Sequence, residues 1–193
     1  IASRTAEKSM NRDAGERRHV DVDARDLSEL LGFDAETRFM AEGTKSTHAD
    51  RLARWTHAVA TMTGRANDRR ESIAAGLAIR LGLLDEAHEL VQDAETRDGM
   101  LWHAVIHRLD GDLENARYWY RRVGRDHPDA QRLAETARSL AAGQAIASLA
   151  QPSWSNDRWI DRHRERLAPA DAQALTLLAI AEWEAHFRRV TTA

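Results

Sequence analysis

Apolar residues recur every three or four positions along most of this chain, the spacing of one face of an α-helix. A β-strand would instead alternate apolar and polar residues, and no long stretch does so. The pattern predicts helices over about 47–64, 68–81, 83–94, 100–110, 112–124, 128–149, 154–167 and 169–190, with a shorter one at 26–32. Residues 1–25 are polar and mixed in charge, so we expect an N-terminal arm or a marginal helix there.

Glycines and prolines mark where these helices end and begin. Gly82, Gly111 and Gly124 each follow an apolar stripe, and Pro128 and Pro169 stand where a new helix can start. Stops this closely spaced join successive helices as antiparallel hairpins. The last helix is apolar nearly all round over 174–181, which is typical of a helix enclosed by others.

Composition supports one all-α domain over residues 1–193. The apolar fraction is 42%, there are only three prolines, and β-branched residues are sparse. The absence of cysteine excludes disulfides, thiolate zinc sites and cysteine nucleophiles. The net charge of −3 provides no field that attracts nucleic acid or a membrane, and no apolar run approaches the roughly 20 residues of a transmembrane helix. We therefore expect a cytoplasmic protein.

A short repeat connects two of the predicted hairpins. Gly82 is followed five residues later by Ala87, and Gly111 is followed in the same way by Ala116. A small residue at this place lets the two helices of a hairpin approach closely. The distance between the copies is 29 residues, which is shorter than the roughly 34 residues of a tetratricopeptide repeat.

The second copy resembles a tetratricopeptide repeat. The turn, small residue, aromatic residue, small apolar residue and closing proline of that pattern fall on Gly111-Asp112, Ala116, Tyr120, Val123 and Pro128. The resemblance covers about 60 residues, and it implies antiparallel helix hairpins stacked side by side. We expect about eight or nine helices in a compact tetratricopeptide-like array.

A longer pattern in the same place is similar to a family of uncharacterised microbial helical proteins. Its residues here are Trp102, His103, His107, Arg108, Gly111, Asp112, Asn115, Ala116, Tyr118, Trp119, Arg121, Arg122, Gly124, His127 and Pro128. This resemblance implies a helical fold and no particular activity.

The hairpin over 100–128 carries the residues that packing alone does not require. His103 and His107 lie four apart on the flank of the first helix, and Asn115 and Arg122 form a polar stripe on the second. A sharp turn at Gly111 can bring these two flanks face to face. The candidate ligand-binding residues are His103, His107, Arg108, Asn115, Trp119, Arg122 and His127.

Two functional interpretations of this hairpin are open. Two histidines at i and i+4 have a metal-ligand spacing, although HAVIH lacks the glutamate of the zinc-protease motif. A third ligand would be His127, Asp112 or a residue of another helix. Alternatively, arginines (Arg108, Arg121 and Arg122) bind an anion beside Asn115 and a wall of Trp119 or Tyr118, with the histidines as acid/base groups.

The structural interpretation is that half-buried histidines bond across the hairpin while the arginines pair with Asp110, Asp112, Glu114 and Asp126. It explains the same residues without a ligand. We accordingly predict no cofactor and no resident metal, and we retain His103 and His107 as the candidates should a metal bind.

The function predicted first is a non-enzymatic binding module, because stacked hairpins form extended concave surfaces. Its groove around hairpin 100–128 would bind a peptide or a protein. The alternative is a pocket for a polar small ligand, an anion or a metal, possibly enzymatic, built from His103, His107, Asn115, Arg122 and His127. The sequence indicates neither the partner's identity nor the oligomeric state.

Overall fold

The computed structural model describes residues 50, 52, 53, 56, 57, 69–124, 126–140 and 143–192. Within these ranges the chain is helical and contains no strand, which confirms the predicted all-α fold with about eight or nine helices. The helices of the part described from residue 69 onward are α1 (Arg70–Arg80), α2 (Leu84–Val91), α3 (Arg97–Asp110), α4 (Leu113–Val123), α5 (Ala130–Ser139), α6 (Gln144–Ala147), α7 (Asn156–Arg162) and α8 (Pro169–Thr192). A 3-10 turn at Ser148–Ala150 follows α6.

The predicted N-terminal arm and the predicted helix at 26–32 lie outside the described residues. Of the predicted helix over 47–64, the structure describes five residues, and all five are helical. Of the helices described, none is long and apolar enough to cross a membrane.

The hairpin of α3 and α4 forms where the sequence predicts it. The hydroxyl of Thr96 accepts a hydrogen bond from the N–H of Gly99 and caps the start of α3. Gly111 ends α3 with φ of 85°, a left-handed conformation that glycine adopts without strain. The small residues Ala104 and Ala116 are both fully buried, so the two helices approach closely. The finer expectation of a tetratricopeptide-like stacking of hairpins stays a prediction.

Two hydrophobic clusters form the core, and α3 and α8 contribute to both. The first cluster joins α1 and α2 to Trp102, Val105 and Ile106 of α3 and to the C-terminal half of α8. The second joins Leu101 and Ala104 of α3 to α4, α5, α7 and the N-terminal half of α8. Helices α3 and α8 therefore each bury two faces. On α3 a third face remains, and it carries the polar flank.

The predicted helix over 128–149 is interrupted. Helix α5 ends at Ser139, where Leu140 turns to extended backbone, and α6 begins only at Gln144. Ile146 and Leu149 after the break are fully buried in the second cluster, so the interruption folds this segment back onto the core. The predicted helix over 154–167 is also shorter, because the segment after α7 is highly charged and only Trp159 and Ile160 are fully buried.

Candidate functional site

Three histidines from two neighbouring helices meet on the polar flank of α3. His103 and His107 stand one turn apart, with ring centroids 4.9 Å from each other and planes 13° apart. His88 of α2 faces both rings edge-on, at centroid distances of 4.5 Å and 5.2 Å. One ring nitrogen from each histidine lies within 4.8 Å of the others, and the Nε2 atoms of His88 and His103 are 2.9 Å apart. We call these three residues the histidine triad.

The triad histidines of α3 are held neutral. Burial lowers the pKa of His103, His88 and His107 add to this because a second charge nearby is unfavourable, and together they bring it to about 4. Burial and His88 also lower the pKa of His107, against the opposing effect of Asp112 and Asp110. Both rings are therefore neutral at pH 7, and each offers a lone pair to a metal ion or a hydrogen-bond donor.

An aromatic and cationic wall adjoins the triad. The indole of Trp119 on α4 stacks on His103 with centroids 3.9 Å apart and planes 18° apart. The guanidinium carbon of Arg122 lies 5.1 Å from the Trp119 ring, and its Nη1 donates a hydrogen bond to the Tyr118 hydroxyl at 3.0 Å. Arg122 is exposed, and no carboxylate among the described residues pairs with it.

A second polar cluster, which we call the Glu182 network, lies inside the second hydrophobic core. The Glu182 carboxylate on α8 is fully buried and accepts hydrogen bonds from Arg108 Nη2 at 2.6 Å and the Tyr120 hydroxyl at 2.6 Å. The same oxygen that accepts from Tyr120 lies 3.1 Å from Nε2 of His127. Burial alone would raise the pKa of Glu182, but Arg108, His127 and Tyr120 together lower it to about 2.

Arg108 is surrounded in this network. It lies over the Trp159 ring at 5.0 Å and donates from Nη1 to His163 Nε2 at 3.2 Å. The other His163 nitrogen donates to the Trp159 carbonyl at 2.8 Å, which fixes the tautomer, and burial together with Arg108 lowers the pKa of His163 to about 4. The network is thus a buried ion pair with its hydrogen-bond partners, and a ligand has no access to it.

The structure divides the predicted site residues between these two places. His103, His107, Trp119 and Arg122 come together around the triad. Arg108, on a different face of α3, and His127, which follows α4, belong to the Glu182 network instead. Asn115 is exposed at the start of α4, where both its backbone N–H and its side-chain amide donate to Asp112.

His88 and Glu182 were not among the residues predicted from the sequence. His88 flanks the apolar stripe of α2 and lies 15 residues before His103, so pairing α2 and α3 as an antiparallel hairpin would have placed it opposite. Glu182 stands four residues after the buried Leu178 and four before the buried His186. A single carboxylate in that row of buried residues indicates that a buried cation lies opposite it.

A cavity of about 350 Å³ opens on the other side of α4. Arg117, Tyr120 and Arg121 line it from α4, and Trp154 lines it from the loop before α7. Asp157 also lines it and pairs with Arg117 at 2.8 Å and with Arg121 at 3.3 Å. Most of the cationic charge of this cavity is therefore neutralised from within the protein.

Comparison with protein-family models, with curated proteins and with solved structures finds no match to this chain.

Proposed function

We propose that the protein binds a divalent transition-metal ion at the triad of His88, His103 and His107. The convergence of three imidazoles is the observation that carries this proposal. Zinc–nitrogen bonds of about 2.0–2.1 Å in a tetrahedron require nitrogens about 3.3 Å apart. The nitrogens of the triad, at 2.9 Å for one pair and within 4.8 Å for all, bracket that distance. Binding of an ion would bring all three nitrogens to that distance through rotation of the side chains.

The donor set selects the class of ion. Neutral imidazole suits zinc, copper, nickel and iron, whereas calcium and magnesium prefer oxygen ligands. The low pKa of His103, about 4, means that a metal ion need not displace a proton from it at pH 7. Three protein nitrogens also leave a coordination position for an external ligand, as in catalytic zinc sites.

The position of the triad makes a further consequence measurable. Helix α2 buries only Ala87 and Val91 fully, so it is less firmly packed than α3. An ion shared by His88 and the two histidines of α3 ties α2 to the hairpin. Ligand at a hundredfold excess over its dissociation constant stabilises a fold by about 2.7 kcal/mol, so metal should raise the melting temperature.

Elemental analysis after dialysis against zinc, together with a melting curve, tests the proposal. We expect about one ion per chain and a higher melting temperature in the wild type, with both effects lost in His88→Asn and in His103→Gln. The control is His57→Asn, which changes an exposed histidine elsewhere and should leave the zinc content and the zinc-induced rise in melting temperature unchanged. Equal zinc content in the wild type and in folded His88→Asn would rule out the triad as the site.

A peptide-binding groove around the α3–α4 hairpin is the second candidate. The cavity between α4 and the start of α7 supports it, because Trp154 offers an apolar wall and the ion pair of exposed Arg121 with Asp157 offers polar groups to a chain lying along α4. Phage-displayed peptides selected on the wild type should lose binding to Arg121→Glu and retain it to Arg138→Glu, an exposed arginine on α5. Peptides that bind both variants equally would place their site away from this cavity.

A further inference from the structure

We infer that Asp112 is a positioning residue of the triad, whose carboxylate directs the proton of His107 to Nδ1 and leaves Nε2 to bind the ion. This inference rests on the proposed metal binding and assigns a role at the same site to a residue outside the three ligands. A neutral imidazole has one N–H and one lone pair, and only the nitrogen with the lone pair can bind a metal. The partner of the other nitrogen decides which one that is.

The carboxylate of Asp112 faces one particular nitrogen of His107. Its Oδ2 lies 3.9 Å from Nδ1 of that ring, which is longer than a hydrogen bond but close enough for the two groups to interact through charge. Burial and then His88 lower the pKa of His107, whereas the charge of Asp112 acts in the opposite direction. A negative charge beside Nδ1 attracts the single proton of the neutral ring to that atom. The lone pair of His107 is then on Nε2.

The start of α4 holds this carboxylate in place. Oδ1 of Asp112 accepts a hydrogen bond from the backbone N–H of Asn115 at 3.1 Å, and Oδ2 accepts one from the Asn115 side-chain amide at 3.3 Å. A carboxylate oxygen has two lone pairs, so Oδ2 retains one for the His107 ring. The bonds that cap α4 therefore also fix the direction of the carboxylate. They explain how Asn115, which lies outside the triad, can still affect it.

The other two histidines are oriented differently. The Nε2 atoms of His88 and His103 face each other at 2.9 Å, and the Trp119 indole stacks on the His103 ring. Asp112 supplies the corresponding constraint on His107. Carboxylates in this position next to a metal-binding histidine typically increase metal affinity by roughly 10- to 100-fold. The Asp112 side chain is 49% exposed, so water screens its charge and we expect an effect of about tenfold.

Asp112→Asn provides the test, because asparagine caps a helix about as well as aspartate does. Its amide oxygen can still accept from the Asn115 N–H, which leaves the NH₂ group, a donor, facing His107. Zinc titration of the full chain should show about tenfold weaker affinity than in the wild type. Asp112→Ser, which keeps a capping oxygen but is too short to reach the ring, should lose about as much. ¹⁵N NMR of the metal-free protein should show His107 with its proton on Nδ1 in the wild type and on Nε2 in Asp112→Asn.

Asp110→Asn is the matched control, since Asp110 also acts on His107 through its charge but comes second to Asp112. Its zinc affinity should stay within about threefold of the wild type, and His107 should keep its proton on Nδ1. If zinc binds but Asp112→Asn equals the wild type or Asp110→Asn loses as much, or if the wild-type proton is on Nε2, the role of Asp112 is refuted while metal binding stands. If zinc does not bind to the wild type, both the inference and the proposed function fail.

Discussion

Replacing Glu182 by glutamine tests how the fold holds a charge inside its second core. Glutamine keeps the shape of the side chain and can still accept from Tyr120, but it removes the negative charge opposite Arg108. Arg108 is 5% exposed, so after the substitution its guanidinium stays buried without a counter-ion. The variant therefore isolates the electrostatic part of the Glu182 network.

The cost can be worked out in two independent ways. A pKa that falls from the ordinary 4.5 to about 2 corresponds to about 3 kcal/mol of stabilisation of the charged form. Breaking a buried ion pair by removing one partner costs about 3–5 kcal/mol. From both values we expect that Glu182→Gln lowers the free energy of unfolding by about 3 kcal/mol. Because the folded-state pKa is depressed, this contribution is complete above pH 4.5 and is lost as the pH falls towards 2.

Urea unfolding followed by circular dichroism at pH 7 measures this loss, provided that the slope with denaturant is unchanged. Glu184→Gln on the same helix is the control. Burial raises the pKa of Glu184, so its charge destabilises the fold and its removal should be neutral or slightly favourable.

Tyr120→Phe should cost about 1.5–3 kcal/mol alone and less in the Glu182→Gln background, because its charged acceptor is gone. A loss below about 1 kcal/mol for Glu182→Gln, or strict additivity with Tyr120→Phe, would refute the network as described.

Three further outcomes are expected. Gly76→Ala should lower the free energy of unfolding by about 1–3 kcal/mol, measured in urea, because the added Cβ would lie 2.7 Å from Phe187 and 2.8 Å from Trp102; no loss would mean that these rings shift freely. In metal-free protein, stability should fall as the pH drops from 6.5 towards 4, because the folded-state pKa of His103 is depressed; a His103→Gln variant with the same pH profile would contradict this assignment. Thr96→Ala should cost about 1 kcal/mol in thermal unfolding through loss of the α3 cap, whereas an unchanged melting temperature would show that the cap is dispensable.

Local pattern was enough to predict most helices but not the break after α5. Apolar spacing and the stops at Gly82 and Gly111 act within a few residues, so they appear in the sequence. The segment after the break lies close to the distant α8, because a Cβ at Gly143 would lie 2.7 Å from the Asp171 carboxylate. Gly143 was recognisable as a weak point, but the close approach of α8 at that position was not.

Half of the candidate site was predictable, because the residues concerned lie close together in the sequence. His103 and His107 share a helix, and Trp119 and Arg122 share the next, so periodicity and one turn bring them together. Arg108 is directed elsewhere by a carboxylate 74 residues away, which sequence spacing does not show. The predicted ion pairs also differ from those formed, since Arg108 pairs across the core rather than along its own hairpin.

The two polar clusters differ in what they contribute to the stability of the fold, and this difference provides a test of function. The Glu182 network is balanced, because its ion pair compensates for burial. The triad has no such compensation, since the neutral imidazole of His103 is removed from water and its Nε2 contacts only that of His88. Replacing both partners of a hydrogen bond by apolar groups of similar size is close to neutral or stabilising. We therefore expect the double variant His88→Leu, His103→Leu to be at least as stable in urea as the metal-free wild type, and to bind no zinc. A loss above about 2 kcal/mol would instead identify the triad as a structural element, because a fold that depends on these histidines has no need of a metal to explain them.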